Sequence, residues 1–399
     1  MSAAHVHDVL IVGAGPGGSA AAAFLADQGF DVLVLERSEF PRFHIGESLL
    51  PLGVGVLERL GIEPDPDVFK FKRGAQFICE TTHRSFDISF SEAFPGPPRH
   101  AYQVERPAFD AIVRDRARAA GAQVRHGVYV RDVDIDETGV TLGLDSGESL
   151  RGRYLVDASG QGRLMGRLKK ALEPYKDFGI AAAYQHFEGI DESKMGEHGD
   201  IRIMMRPEGW GWVIPLPHGR LSVGAVTANK GSTADTIVQY IANSPLISDW
   251  VAGSKASEPA LIGNYSFHNE AAHGARYVCV GDAASFLDPV FSSGVSLALT
   301  GAERATALLG PALREGREGA PELMAGHTES MQGAYDAFAA LIRRFYHTNM
   351  VSNLFFGAPE GADLRQGIVS VLAGDVFRDD NPFQQMLGRS RRVRSRASA

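Results

Sequence analysis

From His7 to Val12 the chain carries a compact apolar run, then a glycine turn, then an alanine-rich stretch of helical character from Ser19 to Ala26. A second apolar run, Asp31 to Glu36, ends in an acid. Strand, turn, helix and strand in this order predict a βαβ unit with parallel strands. Residues 40–72 read as loops around one helix near 53–60, and 104–120 as a helix. The runs 124–133 and 140–144 read as a hairpin-like pair around Asp136-Glu137-Thr138-Gly139. Leu155 to Gly160 is a further strand with its own glycine turn. Between about 178 and 264 the pattern becomes strand-rich, with candidates at 181–187, 201–205, 211–215 and 221–226. Tyr277 to Asp282 is a short buried strand closed by an acid, and after Ser292 the chain reads as helical to about Phe356.

These elements predict an α/β protein. A discontinuous Rossmann-like nucleotide-binding domain takes residues 1–175 and 265–310, a β-rich substrate-side domain is inserted at 176–264, and a helical segment follows at 311–399. With 399 residues and 44% hydrophobic content, each part can bury a core. There is no internal repeat and no long linker. No run of 18 apolar residues occurs, and Met-Ser-Ala-Ala-His-Val-His lacks the pattern of a signal peptide, so the expectation is a cytoplasmic protein without stable membrane association. Cys79 and Cys279 have no CxxC or Cys/His spacing, which supports neither a disulfide framework nor a metal site. A net charge of -8 argues against a nucleic-acid-binding surface over the body of the protein. Arg389, Arg391, Arg392, Arg394 and Arg396 form a basic tail that reads as a solvated terminus.

The first βαβ unit carries the strongest chemistry. Gly13, Gly15 and Gly18 allow a tight turn and the close approach of a pyrophosphate to a helix N-terminus, and Glu36 at the end of the second strand would accept from ribose hydroxyls. A bare glycine pattern occurs in ordinary turns. Here strand, helix, second strand and terminal acid all fall in place around it.

Other segments indicate which nucleotide is bound. Gly281-Asp282-Ala283-Ala284 resembles the second FAD fingerprint of flavin monooxygenase-type proteins, in which the aspartate meets the ribityl side of the cofactor. Arg106 with Phe109-Asp110 resembles the arginine and helix that contact FAD there. Phe40 to Pro51, with Ser48 inside it and Arg37 just before it, resembles the early flavin-side loop. Taken singly, Asp282 could cap a helix and Arg106 be a surface charge; in this order they point to FAD. Trp210-Gly211-Trp212-Val213-Ile214-Pro215 matches the WxWxIP pattern of flavin-dependent halogenases, and Asp288 to Val295 resembles their halide loop. The resemblance is to the phenol and pyrrole branch of the tryptophan-halogenase-like family and runs to about residue 300. It implies a para-hydroxybenzoate hydroxylase-type fold.

In that family reduced flavin and oxygen turn halide into hypohalous acid, which passes through a tunnel to a lysine beside the organic substrate. The resemblance therefore implies that Ser293 and Gly294 bind chloride or bromide through backbone amides, and that Lys72 in Phe71-Lys72-Arg73-Gly74-Ala75 is the catalytic lysine, with Lys70 as fallback. The plain alternatives are a helix-capping turn and two exposed strand lysines. Trp210 and Trp212, two apart on a strand, would face one side and wall the tunnel together with Pro215 and Phe291. A lone WxW would read as core.

Phe291 stands where tryptophan halogenases carry a glutamate, which removes that candidate base and favours phenol or pyrrole over indole. The chain is about a hundred residues shorter than a typical family member, which implies a reduced C-terminal closing segment. Only one full dinucleotide fingerprint is present, so FADH2 would come from a separate flavin reductase. The aromatic substrate could be free or carried on a carrier protein. The competing readings are an FAD monooxygenase, a geranylgeranyl-reductase-type oxidoreductase and a non-catalytic flavin-binding protein. His44, His186 and His218 lack ligand spacing and receive no role.

Overall fold

Five strands run parallel in the order Tyr277–Cys279, Ser149–Asp157, Val6–Val12, Val32–Leu35 and Gln123–Arg125. The computed structural model describes residues 5–175, 177–178, 181–196, 198–206, 209–227, 231–347 and 362–388. The arginines of the basic tail and the end of the expected helix near Phe356 lie outside these residues. Val6–Val12 is buried from Val9 to Val12 because it has a strand on either side and helices over one face. The helix Pro16–Asp27 starts on proline at its first turn, and its alanines leave room for close packing against the long helix Ser293–Glu315 and the crossover helix Arg106–Ala119. Arg106–Ala119 turns Phe109, Asp110, Val113 and Ala117 inward at helical spacing.

The run expected as one strand at 124–133 is two. Gln123–Arg125 joins the parallel sheet beside Val32–Leu35, and only Val130–Ile135 forms the hairpin with Val140–Leu144. Gly127, at φ +68°, makes the break between them.

The second large sheet contains all four strands expected from the alternation, as Ala181–Glu188, Arg220–Thr227, Gly209–Leu216 and Ile201–Arg206, antiparallel to their neighbours in that order. It also takes in Gly74–Cys79, parallel to Ile201–Arg206, and then Arg84–Ser89. The substrate-side sheet is therefore wider than residues 176–264. Alternation gives it two apolar faces. Ile201, Ile203, Trp210, Trp212 and Ile214 turn into the main core, while Met204, Val213, Leu221, Val223 and Ala225 pack under the helices Thr236–Ala242 and Pro245–Trp250.

The C-terminal part is helical, with Ser293–Glu315, Ala325–His347 and Ala362–Leu372. Among the described residues no helix is long and apolar enough to cross a membrane.

Candidate functional site

One continuous cleft begins at the glycine turn, passes between the two sheets and ends against Ile201, Trp210, Trp212 and Ile214. Twelve of the residues singled out from the sequence line it: Gly13, Gly15, Gly18, Glu36, Arg37, Ser48, Arg106, Trp210, Trp212, Asp282, Ser293 and Gly294.

At its nucleotide end, Gly13 has φ +103°, and a Cβ there would stand 2.2 Å from the Ala158 carbonyl oxygen. A Cβ on Gly18 would stand 1.9 Å from the carbonyl oxygen of Gly13. Neither position can carry a side chain, which leaves bare backbone at the start of the helix Pro16–Asp27, whose N-cap Gly15 supplies no side-chain acceptor. Buried Asp157 holds the opposing turn by accepting from the backbone amides of Ser159 at 3.0 Å and Met165 at 2.8 Å. Glu36 accepts from the Ala14 amide at 2.8 Å and the Ser38 amide at 2.9 Å, so it fixes the glycine turn as well as facing the cleft.

Arg106 does not extend freely into the cleft. It is buried, bonds both carboxylate oxygens of Asp110 at 2.8 and 3.1 Å, and donates to the Ile45 carbonyl at 2.7 Å. It thereby holds the early loop in place. Asp282 lies in the cleft with Gln161 donating to it at 3.2 Å, and burial pushes its carboxyl up to about 6. Bare backbone at a helix start, a buried arginine and an acid facing the cleft suit a diphosphate flanked by sugar hydroxyls, and FAD has that composition.

At the far end, the helix Ser293–Glu315 begins at Ser292, which is left-handed at φ 56° and provides no side-chain cap. Its first backbone amides, including those of Ser293 and Gly294, thus start a long helix on the cleft wall, where an anion is favoured. Trp210 and Trp212 lie side by side, ring centroids 5.9 Å apart, as their spacing predicts. Trp212 donates to the Ser222 hydroxyl at 3.2 Å, and its ring covers Gly224, where a Cβ would meet the indole at 2.1 Å.

Three expected site residues are not on the cleft wall. Pro215 is buried past the end of the ladder with Ile201–Arg206, where its missing N–H costs no strand pairing. Phe291 turns away to pack edge-on against Phe345, centroids 5.8 Å apart. Lys72 is 1% exposed and one hydroxyl removed from the cleft, donating to Ser48 Oγ at 2.9 Å and to the Leu49 carbonyl at 2.8 Å. Burial pushes its ammonium down to about 7, against a smaller upward pull from Asp200. Lys70 instead forms an ion pair with Glu192.

Several residues in or beside the cleft receive no role from the sequence alone. Arg42 lies 3.6 Å from Glu36 and 3.4 Å from Asp110, with its Nε making no hydrogen bond among the described residues. His44 is pushed down to about 3 by burial and by Arg106 and Arg42, which keeps it neutral. His186 bonds the buried carboxylate of Glu47 at 2.7 Å, pinning the residue before Ser48 to the substrate-side sheet. The early-loop resemblance covers Arg42, His44 and Glu47, but only folding reveals a partner 139 residues away. Outside the cleft, His5, His7 and Asp31 come together at the start of the first strand, both imidazoles bonding one oxygen of Asp31 at 2.7 and 2.9 Å.

Residues 8–97 and 91–358 match the sequence profile described as tryptophan halogenase. Flavin-dependent halogenase armH3 of Armillaria mellea is 30% identical over 375 residues, which is 85% of this chain and 74% of that one. A chlorinase of 1H-pyrrole-2-carbonyl groups on a peptidyl-carrier protein, from Pseudomonas fluorescens, is 29% identical over 94% of this chain and 90% of its own length. The structure of the flavin-dependent brominase Bmp2 superposes with a TM-score of 0.86 at 25% identity, covering 98% of this chain and 100% of that one. The match thus spans about three quarters of the Armillaria enzyme and the whole of the brominase's solved chain.

Proposed function

The chain belongs to the tryptophan halogenase family of flavin-dependent halogenases, and from that premise we propose that it halogenates a phenol- or pyrrole-type aromatic by a relay through Lys72. The monooxygenase and geranylgeranyl-reductase readings are set aside by that membership. The observation that carries the relay is a buried lysine whose bonds go to neutral oxygens. No carboxylate lies within ion-pair distance of Lys72 among the described residues, and one of its two partners, Ser48, faces the cleft. A charge held this way is unfavourable to folding, which argues for a chemical reason to keep it.

Gly13, Gly15 and Gly18 would hold the diphosphate of FAD, with Glu36 and Arg37 toward the adenosine side and Asp282 toward the ribityl chain. Reduced FAD, when bound, supplies with oxygen the oxidising equivalents that turn halide into hypohalous acid. The amides of Ser293 and Gly294 hold the halide at the helix start, and Trp210 and Trp212 keep the aromatic substrate away from the flavin. With a pKa near 7, Lys72 serves in either of two forms at neutral pH. As an ammonium it donates a hydrogen bond to hypohalous acid; as a free amine it takes the halogen and releases water. In either case the ring carbon gains the halogen and loses its proton. Phe291 faces Phe345, so the indole-type acid has no counterpart here.

Reduced flavin is proposed to come from a separate reductase. The Pseudomonas relative acts on a pyrrole tethered to a carrier protein, and the same tethered class is proposed here beside free phenols. Purified protein with FAD, an unrelated flavin reductase, NADH, oxygen and bromide would be tested against phenols and pyrroles, each free and tethered. Protein-dependent halogen isotope doublets in the product mass are the expected result; products gaining only oxygen would overturn the reading.

A further inference from the structure

Three segments far apart in sequence meet at one buried carboxylate beside the halide turn. Asp288, 2% exposed, heads the short 3-10 turn Pro289–Phe291 that leads into Ser292 and the long helix. One of its oxygens accepts from the Val290 amide of the same turn at 3.0 Å, and the other accepts from the Tyr346 hydroxyl at 2.8 Å. Tyr346, near the end of Ala325–His347, accepts in turn from the indole N–H of Trp210 at 2.8 Å. An indole N–H can only donate and a carboxylate can only accept, so the phenol between them is fixed as acceptor from one and donor to the other.

That arrangement matters because Asp288 shares the cleft wall with Ser293 and Gly294. A carboxylate close to a turn that must hold an anion opposes the anion unless donors offset its charge. Burial and the charge of Asp288 both push the Tyr346 phenol up, so it stays a donor at every working pH. Tyr265 provides a contrast. Burial and the same carboxylate push its phenol up too, but its hydroxyl makes no hydrogen bond among the described residues.

We propose that Tyr346 is a positioning residue for the halide: its hydroxyl offsets Asp288 and ties the Ser292–Gly294 turn to Trp210, so that the turn accepts a chloride or bromide ion. This rests on the reading of Ser293 and Gly294 as the halide turn. Tyr346→Phe keeps the ring and removes the bond. In the holoenzyme the KM for bromide should rise about tenfold, a loss of about 1.4 kcal/mol of binding. The kcat at saturating bromide and the Kd for FAD should each stay within about twofold. Bromide anomalous scattering at Ser293–Gly294 should be present in wild-type crystals and reduced in the variant at the same bromide concentration.

Two further variants separate the charge effect from general loosening. Tyr265→Phe removes the hydroxyl that makes no bond among the described residues and should leave the bromide KM unchanged. Adding Asp288→Asn to Tyr346→Phe removes the charge that needed offsetting and should bring the bromide KM back toward wild type. An unchanged bromide KM in Tyr346→Phe, a rise matched by the FAD Kd, or no recovery in the double variant overturns the proposal. Absence of bromide scattering at the turn in the wild type overturns the halide reading itself, and this inference with it.

Discussion

Lys72→Met should give a protein that is more stable at neutral pH and inactive as a halogenase. Burial lowers the Lys72 ammonium from the ordinary 10.5 to about 7. A displacement of that size corresponds to about 5 kcal/mol of penalty on the charged form. The sign follows from proton counting. Between pH 7 and 10.5 the unfolded chain holds a proton on Lys72 that the folded chain has released, so wild-type stability rises with pH across that window, by at most about 1.4 kcal/mol per pH unit. Below pH 7 the penalty is fully present, and above 10.5 it is gone.

Methionine removes the penalty but leaves the Leu49 carbonyl without its donor and the Ser48 hydroxyl without its partner, a loss of about 1 to 3 kcal/mol. The variant should therefore be about 2 kcal/mol more stable than wild type at pH 7, and that advantage should shrink by about 2 to 3 kcal/mol by pH 9. Urea unfolding of both proteins at saturating FAD, from pH 7 to 9, measures the difference, and groups common to both cancel. Halogenated product is expected to disappear while flavin-dependent oxygen consumption persists. Parallel stability curves would refute the buried-amine argument, and retained halogenation would refute the relay.

Gly18→Ala should weaken FAD binding by more than about tenfold, because the added methyl meets the Gly13 carbonyl oxygen at 1.9 Å; flavin fluorescence titration reads it. FAD affinity should fall several-fold as pH drops through about 6, where Asp282 takes up a proton and loses the charge that strengthens its bonds from cofactor hydroxyls. Asp282→Asn should flatten that dependence in binding titrations from pH 5 to 7.5. Trp212→Ala should cost about 3 to 5 kcal/mol of stability and raise the share of oxygen consumption that ends as peroxide, read by calorimetry and a peroxide assay.

Legibility in the sequence followed how local each signal is. The first βαβ unit, the Gly281-Asp282 strand and the paired tryptophans depend on spacing within a few residues, and the structure brings them into one cleft. The width of the second sheet was hidden because pairing between Gly74–Cys79 and Ile201–Arg206 spans more than a hundred residues and leaves no periodic trace. The split at Gly127 looked like a hairpin because strand alternation does not say which partner a strand will take. Motif position points Pro215 and Phe291 toward the substrate, while packing sets where their side chains lie: Phe291 meets Phe345 on a helix more than fifty residues later. The resemblance points Arg106 toward the cofactor; the structure adds a bidentate bond to Asp110, one helical turn on, and a bond to the Ile45 carbonyl that braces the early loop.

The seam between the two sheets has a consequence for protein engineering. Phe69–Lys72 leads directly into Gly74–Cys79, so Lys72 is joined covalently to the substrate-side sheet, while its hydroxyl partner Ser48 sits on the loop that follows the first βαβ unit. A chimera that exchanges residues 181–263 alone would import a sheet without two of its strands and leave the lysine's segment behind. Grafts meant to change the aromatic substrate have to carry residues 69–104 along with that segment to bring both missing strands, and the Lys72–Ser48 hydrogen bond then has to form across the new junction.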